Sequence, residues 1–243
     1  MPPDRRIIMF LPFLSESPSV TTLGFRILPR IHTSPSLVAL FEGLPASIIS
    51  DNMSRLSGSL HLRPRHRPGI ALLGTALTVR VRSGDNLMIH KALQVARPGD
   101  VLVVDGGGTI DRALIGDIMK NVAKARGLAG AVIDGAIRDS GSFRDDDFPC
   151  YSRGVTHRGP FKDGPGEINV QVSIDGDVVN PGDIVVGDDD GVLFISPAHA
   201  EALAAASRKK LADETATLAA IANGTHNDAW IDQALRAKGV LPA

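Results

Sequence analysis

Apolar and polar positions alternate along this chain with two distinct periods. In GTALTVRVR (74–82), Leu77, Val79 and Val81 alternate with Thr78, Arg80 and Arg82, the two-residue period of a half-buried strand. VLVVDG (101–106) and LAGAVIDG (128–135) are unbroken apolar runs, as in strands covered on both faces. Between them, DIMKNVAKARG (117–127) has a helical period, with Asp117 at its start and Gly127 at its stop. That order predicts a βαβ unit with a right-handed crossover. Residues 34–53 predict one helix, with Val38, Leu40, Phe41 and Leu44 on one face and Ser34-Pro35 opening it. Residues 86–96 predict a short helix carrying His90; a lone helical histidine is more often a core or surface residue than a ligand.

The second half reads mainly as β-structure. INVQVSID (168–175) alternates as one strand, and Asp175-Gly176 marks a tight hairpin. IVVGDDDGVLFIS (184–196) predicts two strands around an acidic turn. Pro-Gly-Asp followed by an apolar run occurs at 98–104 and again at 181–186, as expected for two type II turns feeding strands. A long Ala-rich helix is expected from Pro197 to about Asn223, packing through Leu203, Leu211, Leu218 and Ile221. A last short helix at 227–238 has Asn227 as its cap and carries the only Trp, Trp230.

The first 33 residues stand apart. Residues 7–14 are apolar behind two arginines, but Pro12 interrupts them and no small-residue cleavage site follows. Asp4 and Glu16 count against a transit peptide. This segment reads as a flexible extension or the product of an upstream start codon, with one domain at 34–243.

Composition narrows the function. Of 243 residues, 43% are hydrophobic and 22% charged, which suits a globular fold. Aromatics are 4%, too few for base-stacking surfaces, and the net charge of −1 gives no field for nucleic acid. No apolar run reaches membrane-spanning length, so no membrane partner is expected. With Cys150 as the only cysteine, a disulfide framework and a cysteine zinc cluster are excluded. Cys150 itself reads as a small buried hydrophobe. The basic stretch 61–69 reads as a solvated loop.

Three places could carry chemistry. Gly116-Asp117-Ile118 opens a helix behind a glycine-rich turn, where free N–H groups attract anions; read alone, Asp117 is an ordinary N-cap. Arg138-Asp139 follows a buried strand, at the carboxyl end where open α/β sheets bind ligands. Arg grips carboxylates in a planar fork, and Asp offers a hard oxygen to Mg²⁺ or Mn²⁺; read alone, the pair is a surface salt bridge. The turn Asp188-Asp189-Asp190-Gly191 lacks the alternation and distal Glu of a calcium loop and reads as a hairpin. Gly106-Gly107-Gly108 followed by Asp134 lacks the spacing of a dinucleotide fingerprint.

The stretches 74–87, 98–108, 113–143, 148–160 and 179–197 together resemble the RraA-like family, and Asp117, twenty residues, then Arg138-Asp139 resembles its pyruvate-aldolase branch. The resemblance implies a compact α/β domain like the swivelling β/β/α phosphohistidine domains, with C-terminal helices. It implies cleavage of a 4-hydroxy-2-keto diacid, of the 4-hydroxy-4-methyl-2-oxoglutarate type, to pyruvate, with oxaloacetate decarboxylation alongside. Arg138 would bind the substrate's carboxylate and keto end. Asp139 would ligate Mg²⁺ or Mn²⁺, and Asp117 would hold the cation through water. Gly116 and the amides of Ile118 and Met119 would receive the pyruvyl carboxylate. Glu214 from a neighbouring subunit would complete the site in a homotrimer or dimer of trimers in the cytoplasm. The other function open within the family is a non-catalytic regulator that binds a ribonuclease.

Overall fold

A computed structural model describes residues 23–55 and 57–242. The elements in chain order are β1 (Phe25–Ile27), α1 (Pro35–Ala39), α2 (Ala46–Asn52), β2 (Arg63–Pro64), β3 (Leu72–Val81), α3 (Leu87–Val95), β4 (Asp100–Asp105), β5 (Ala113–Ile115), α4 (Asp117–Ala125) and β6 (Gly130–Ile137). They continue as α5 (Ser140–Arg144), β7 (Cys150–Val155), β8 (Gly166–Ile168), β9 (Val172–Ile174), β10 (Asp177–Val179), β11 (Ile184–Gly187), β12 (Val192–Ile195), α6 (Ala200–Ala222) and α7 (Ala229–Ala237).

The apolar runs form the parallel centre of a mixed sheet, ordered β1-β8-β3-β4-β6-β7-β2. β3, β4, β6 and β7 are mutually parallel, with Val79 opposite Val104 and Val104 opposite Ile133. β5 pairs with β6 on its other edge, and α4 provides the crossover from β4 to β6. One face packs on α3 and α4 through Leu77, Val79, Leu102 and Ile133 against Ile89, Leu93 and Met119. The other face packs beneath β9–β12 through Val101, Val103, Val132 and Tyr151. A third cluster joins α1, α2 and α6 to β11 and β12. This is the expected α/β architecture with C-terminal helices.

The structure departs from the sequence pattern in several places. β3 is almost wholly buried rather than half-buried, because β9–β12 roof its second face; Thr78 is sequestered there and donates to the Val170 carbonyl (2.6 Å). The single helix expected at 34–53 is two, because Pro45 lacks an N–H and restricts Leu44, so α2 restarts after it. Ser34 does cap α1, accepting from the Ser36 N–H at 3.3 Å. The strand expected at 168–175 is split: Asn169 adopts a left-handed conformation, and β8 and β9 join different sheets. β9 and β10 form the expected hairpin across Asp175-Gly176. The first turn of the long C-terminal helix is 3₁₀, and Leu218 and Ile221 stay exposed while Leu203 and Leu211 pack. In the last helix Asp228, not Asn227, is the capping residue, although the Asn227 side chain accepts from the Ala229 N–H.

The chain also packs ahead of residue 34. β1 pairs with β8, Arg30 ion-pairs with buried Asp100, and the Thr33 hydroxyl donates to the Gly182 carbonyl. The expected boundary at 33/34 therefore does not mark the edge of the packed chain; residues 1–22 lie outside the described residues. No described helix is long and apolar enough to cross a membrane.

Candidate active site

Sheet register brings the candidate residues together. β5 lies beside β6, so the ends of both strands meet: Ile115 pairs with Ile137, and the Arg138 N–H donates to the Ile115 carbonyl (3.0 Å). The chain then enters α4 from β5 and leaves β6 through Arg138 and Asp139. Gly116, not Asp117, caps α4; Asp117 is the first helical residue. This corrects the N-cap reading, and the reason is local: the Asp117 N–H is taken by Asp139 Oδ2 (3.0 Å), so its own carboxylate turns outward.

Gly116 permits this contact. A Cβ there would lie 2.6 Å from Asp139 Oδ2 and 2.8 Å from Arg138 Cγ. Asp139 holds φ +56°, an uncommon conformation for a residue other than glycine, and Ser142 steadies it by donating both its N–H and its hydroxyl to the Asp139 carbonyl, each at 2.9 Å. Arg138 Nε stands 3.7 Å from Asp139 Oδ2.

A cleft of about 200 Å³ opens here, lined by Gly116, Ile118, Met119 and Arg138 on one side and by Asn86, His90, Pro160 and Lys162 on the other. The N–H groups of Ile118 and Met119 belong to the first helical turn, which leaves them without intrahelical acceptors, at the positive end of the helix dipole. Asp117 Oδ1 accepts from Lys120 (3.1 Å) and Asn121 (3.1 Å). The Lys120 hydrogen bond holds the Asp117 carboxyl below its usual range. Burial, and then the nearby Lys162 ammonium, lower the His90 imidazole.

The donor set fits a small hard cation. Asp117 and Asp139 have side chains 44% and 47% exposed, each with one oxygen outside the hydrogen bonds among the described residues. Mg²⁺ and Mn²⁺ take one or two carboxylates and keep several waters. No three His, Cys, Asp or Glu side chains stand close enough to form a cage among the described residues. Glu214 is not beside this pair within one chain: it lies on α6, which packs on α1 and α2, and faces Lys210 at 3.4 Å.

Sequence singled out neither Asn86 nor Lys162, and it read His90 as a core or surface residue, whereas His90 lines the cleft. Asn86 and His90 are four residues apart, a spacing that places them on one helix face and could have paired them. Lys162 comes from a distant loop and carries no local signal. The glycine-rich turn is not an anion cradle: the Gly106 and Gly108 N–H groups both donate to the Asp134 carbonyl, and Gly107 donates to Asp105 Oδ1. Asp134 pairs with Arg153, away from the cleft. Cys150 is buried as expected, which pushes its thiol up to about 12.

Comparison with known proteins follows the same lines. The sequence profile of the RraA-like family (Aldolase/RraA) matches residues 46–194. A protein of Halalkalibacterium halodurans, provisionally named 4-hydroxy-4-methyl-2-oxoglutarate aldolase, is 39% identical over 186 residues, which are 76% of this chain and 89% of that one. A solved structure of an uncharacterized Pseudomonas syringae pv. tomato protein is 27% identical with a TM-score of 0.71, covering 80% of this chain and 96% of that one. RraAS2 of Streptomyces coelicolor, described as an unusual member of the RNase ES inhibitor RraA family, is 25% identical with a TM-score of 0.70, covering 77% of this chain and 98% of that one. A profile that spans the sheet and both strand ends of the cleft, with a relative this similar over most of both chains, shows that the chain belongs to the RraA-like family.

Proposed function

We propose that the chain is a divalent-metal-dependent lyase that cleaves a 4-hydroxy-2-keto diacid, of the 4-hydroxy-4-methyl-2-oxoglutarate type, to pyruvate. The observation that carries this is that Arg138 and the helix amides of Ile118 and Met119, which have no acceptor among the described residues, line one cleft, while the Asp117 and Asp139 carboxylates stand beside them at its rim: Asp139 Oδ2 takes the Asp117 N–H at 3.0 Å and lies 3.7 Å from Arg138 Nε.

The residues divide the work as follows. The amides of Ile118 and Met119 receive the substrate's C1 carboxylate, where the dipole of α4 favours negative charge. Arg138 faces the C2 carbonyl oxygen. Asp117 orients the water that takes the proton from the C4 hydroxyl. As C4 becomes a carbonyl, the C3–C4 bond breaks and its electron pair passes to C3, leaving the enolate of pyruvate. Arg138 supplies fixed positive charge where the enolate oxygen develops. Protonation at C3 then gives pyruvate. Asp139, with Asp117 through water, would hold Mg²⁺ or Mn²⁺, which when bound supplies Lewis-acid stabilisation of the enolate. Oxaloacetate loses CO₂ to give the same enolate, so decarboxylation accompanies cleavage.

We further propose a homotrimer or dimer of trimers in the cytoplasm, with Glu214 reaching a neighbour's site from α6. The exposed Leu218, Ile221 and Trp230 support this, since this end of the chain leaves apolar side chains uncovered. The test is release of pyruvate from oxaloacetate or a 4-hydroxy-2-keto diacid, coupled to lactate dehydrogenase. An EDTA-sensitive rate restored by Mg²⁺ or Mn²⁺ supports the proposal. No metal-dependent rate on any such substrate refutes it and favours the ribonuclease-binding reading.

A further inference from the structure

Lys120 is 3% exposed, yet it carries an ammonium. Burying such a charge is costly unless it is fully paired. All three of its N–H groups are used: Nζ donates to the Ser142 carbonyl at 2.7 Å and stands 3.1 Å from both Asp117 Oδ1 and Asp146 Oδ2. The Phe143 ring centroid lies 5.2 Å away. Asp146 does not need Lys120, because Lys124 reaches both its oxygens at 2.6 and 2.7 Å. What Lys120 adds is a tie from the Asp117 carboxylate to the Ser142 carbonyl, beside the Ser142 side chain, which itself lies close enough to lower the Asp117 carboxyl.

That link closes a ring. Asp117 accepts from Lys120, and Lys120 donates to the Ser142 carbonyl. The Ser142 N–H and hydroxyl both donate to the Asp139 carbonyl. Asp139 Oδ2 accepts from the Asp117 N–H. The ring therefore joins the two carboxylates both through the backbone side and through the side-chain side.

We propose that Lys120 is a positioning residue whose buried ammonium fixes the spacing of Asp117 and Asp139 and so pre-forms the seat for the divalent cation. This rests on the reading of that pair as the cation site. It separates cleanly from a charge effect, because the two predict opposite signs. An ammonium beside a cation-holding carboxylate repels a second cation, so charge alone predicts tighter metal binding once Lys120 is neutralised. Positioning predicts weaker binding.

Titration of the whole protein with Mn²⁺, following free Mn²⁺ by electron paramagnetic resonance, decides between them. Lys120→Met keeps the packing volume and removes the ammonium. It is expected to weaken Mn²⁺ binding about tenfold or more, the usual effect of losing a group that orients a ligand. Lys124→Met removes a neighbouring charge outside the ring and is expected to leave the affinity unchanged. Lys120→Gln keeps N–H donors without charge and is expected to fall between Lys120→Met and the unaltered protein. If Lys120→Met does not fold, Lys120→Gln against the unaltered protein carries the same comparison. Affinity equal to or tighter than that of the unaltered protein overturns the proposal, while Mn²⁺ binding that Asp139→Asn abolishes keeps the cation site intact. No Mn²⁺ binding by the unaltered protein overturns both.

Discussion

Arg138, Asp117 and Asp139 are picked out by family resemblance rather than by local pattern; their spacing runs from the start of α4 to the end of β6, and the pairing of β5 with β6 sets the two ends side by side. Arg138→Ala is expected to lower kcat for pyruvate release about 10²–10³-fold, the effect of losing one donor to a developing oxyanion. Its side chain is 43% exposed, so the thermal midpoint should hold; full activity in the folded variant would remove Arg138 from the mechanism. Gly116→Ala is expected to abolish Mn²⁺ binding while leaving the sheet intact by circular dichroism, because the added Cβ falls on Asp139 Oδ2 and Arg138 Cγ. Asp146 is a structural test. Burial alone would raise its carboxyl, but Lys124 and Lys120 outweigh burial and hold it at about 2, below the ordinary 3.8. A carboxyl depressed on folding stabilises above its unfolded pKa, and that contribution is lost as pH falls through the folded one. Asp146→Asn should therefore cost about 2 kcal/mol in urea unfolding at pH 7, with the gap to the unaltered protein closing between about pH 4 and pH 2. A gap that stays constant with pH would contradict the assignment. Asn86 and Lys162 were not legible, because what makes them cleft residues is a meeting of α3 with a loop some 70 positions away.

Among the elements, those with one strong period were read well and those bent by a single residue were not. β4 and β6 follow directly from their apolar runs. The breaks at Pro45 and Asn169 were missed because hydrophobic period continues through them; in both cases backbone conformation overrides it. The two Pro-Gly-Asp turns proved to be the same device. In each, the Asp N–H returns to the residue before Pro (Asp100 to Arg97, Asp183 to Asn180, both 3.1 Å), and the Asp carboxylate accepts the N–H of that same residue. Their glycines, at φ +84° and +88°, differ in surroundings: Gly99 faces open space, whereas a Cβ on Gly182 would meet Ile31 Cγ2 at 2.9 Å. Gly99→Ala should thus cost about 1–2 kcal/mol of strain. Gly182→Ala should cost more and loosen the segment around Thr33, read as faster hydrogen exchange there. Equal costs would show that residues 31–33 do not press on the turn.

Across the whole molecule, the net charge of −1 conceals a division. Residues 1–68 carry a net +4 and residues 69–243 a net −5. The acidic part contains both carboxylates proposed to hold the cation, and the cleft within it is nonetheless edged by Arg138, His90 and Lys162, which suits the anionic substrate proposed. Near-neutrality gave no expectation of a nucleic-acid field and was silent about this local arrangement. The scarcity of aromatics agrees with it, since a small charged keto acid is gripped by cations and amides rather than by stacking. Gel filtration with light scattering should give three or six chains per particle; a monomer that retains full activity would remove Glu214 from the site. The central claim is tested most directly by one assay: oxaloacetate and a 4-hydroxy-2-keto diacid offered to the purified protein, with pyruvate read through lactate dehydrogenase, before and after EDTA and again after Mg²⁺ or Mn²⁺. The account predicts pyruvate release that EDTA stops and the cation restores. Release unaffected by EDTA, or none with any cation, would contradict it.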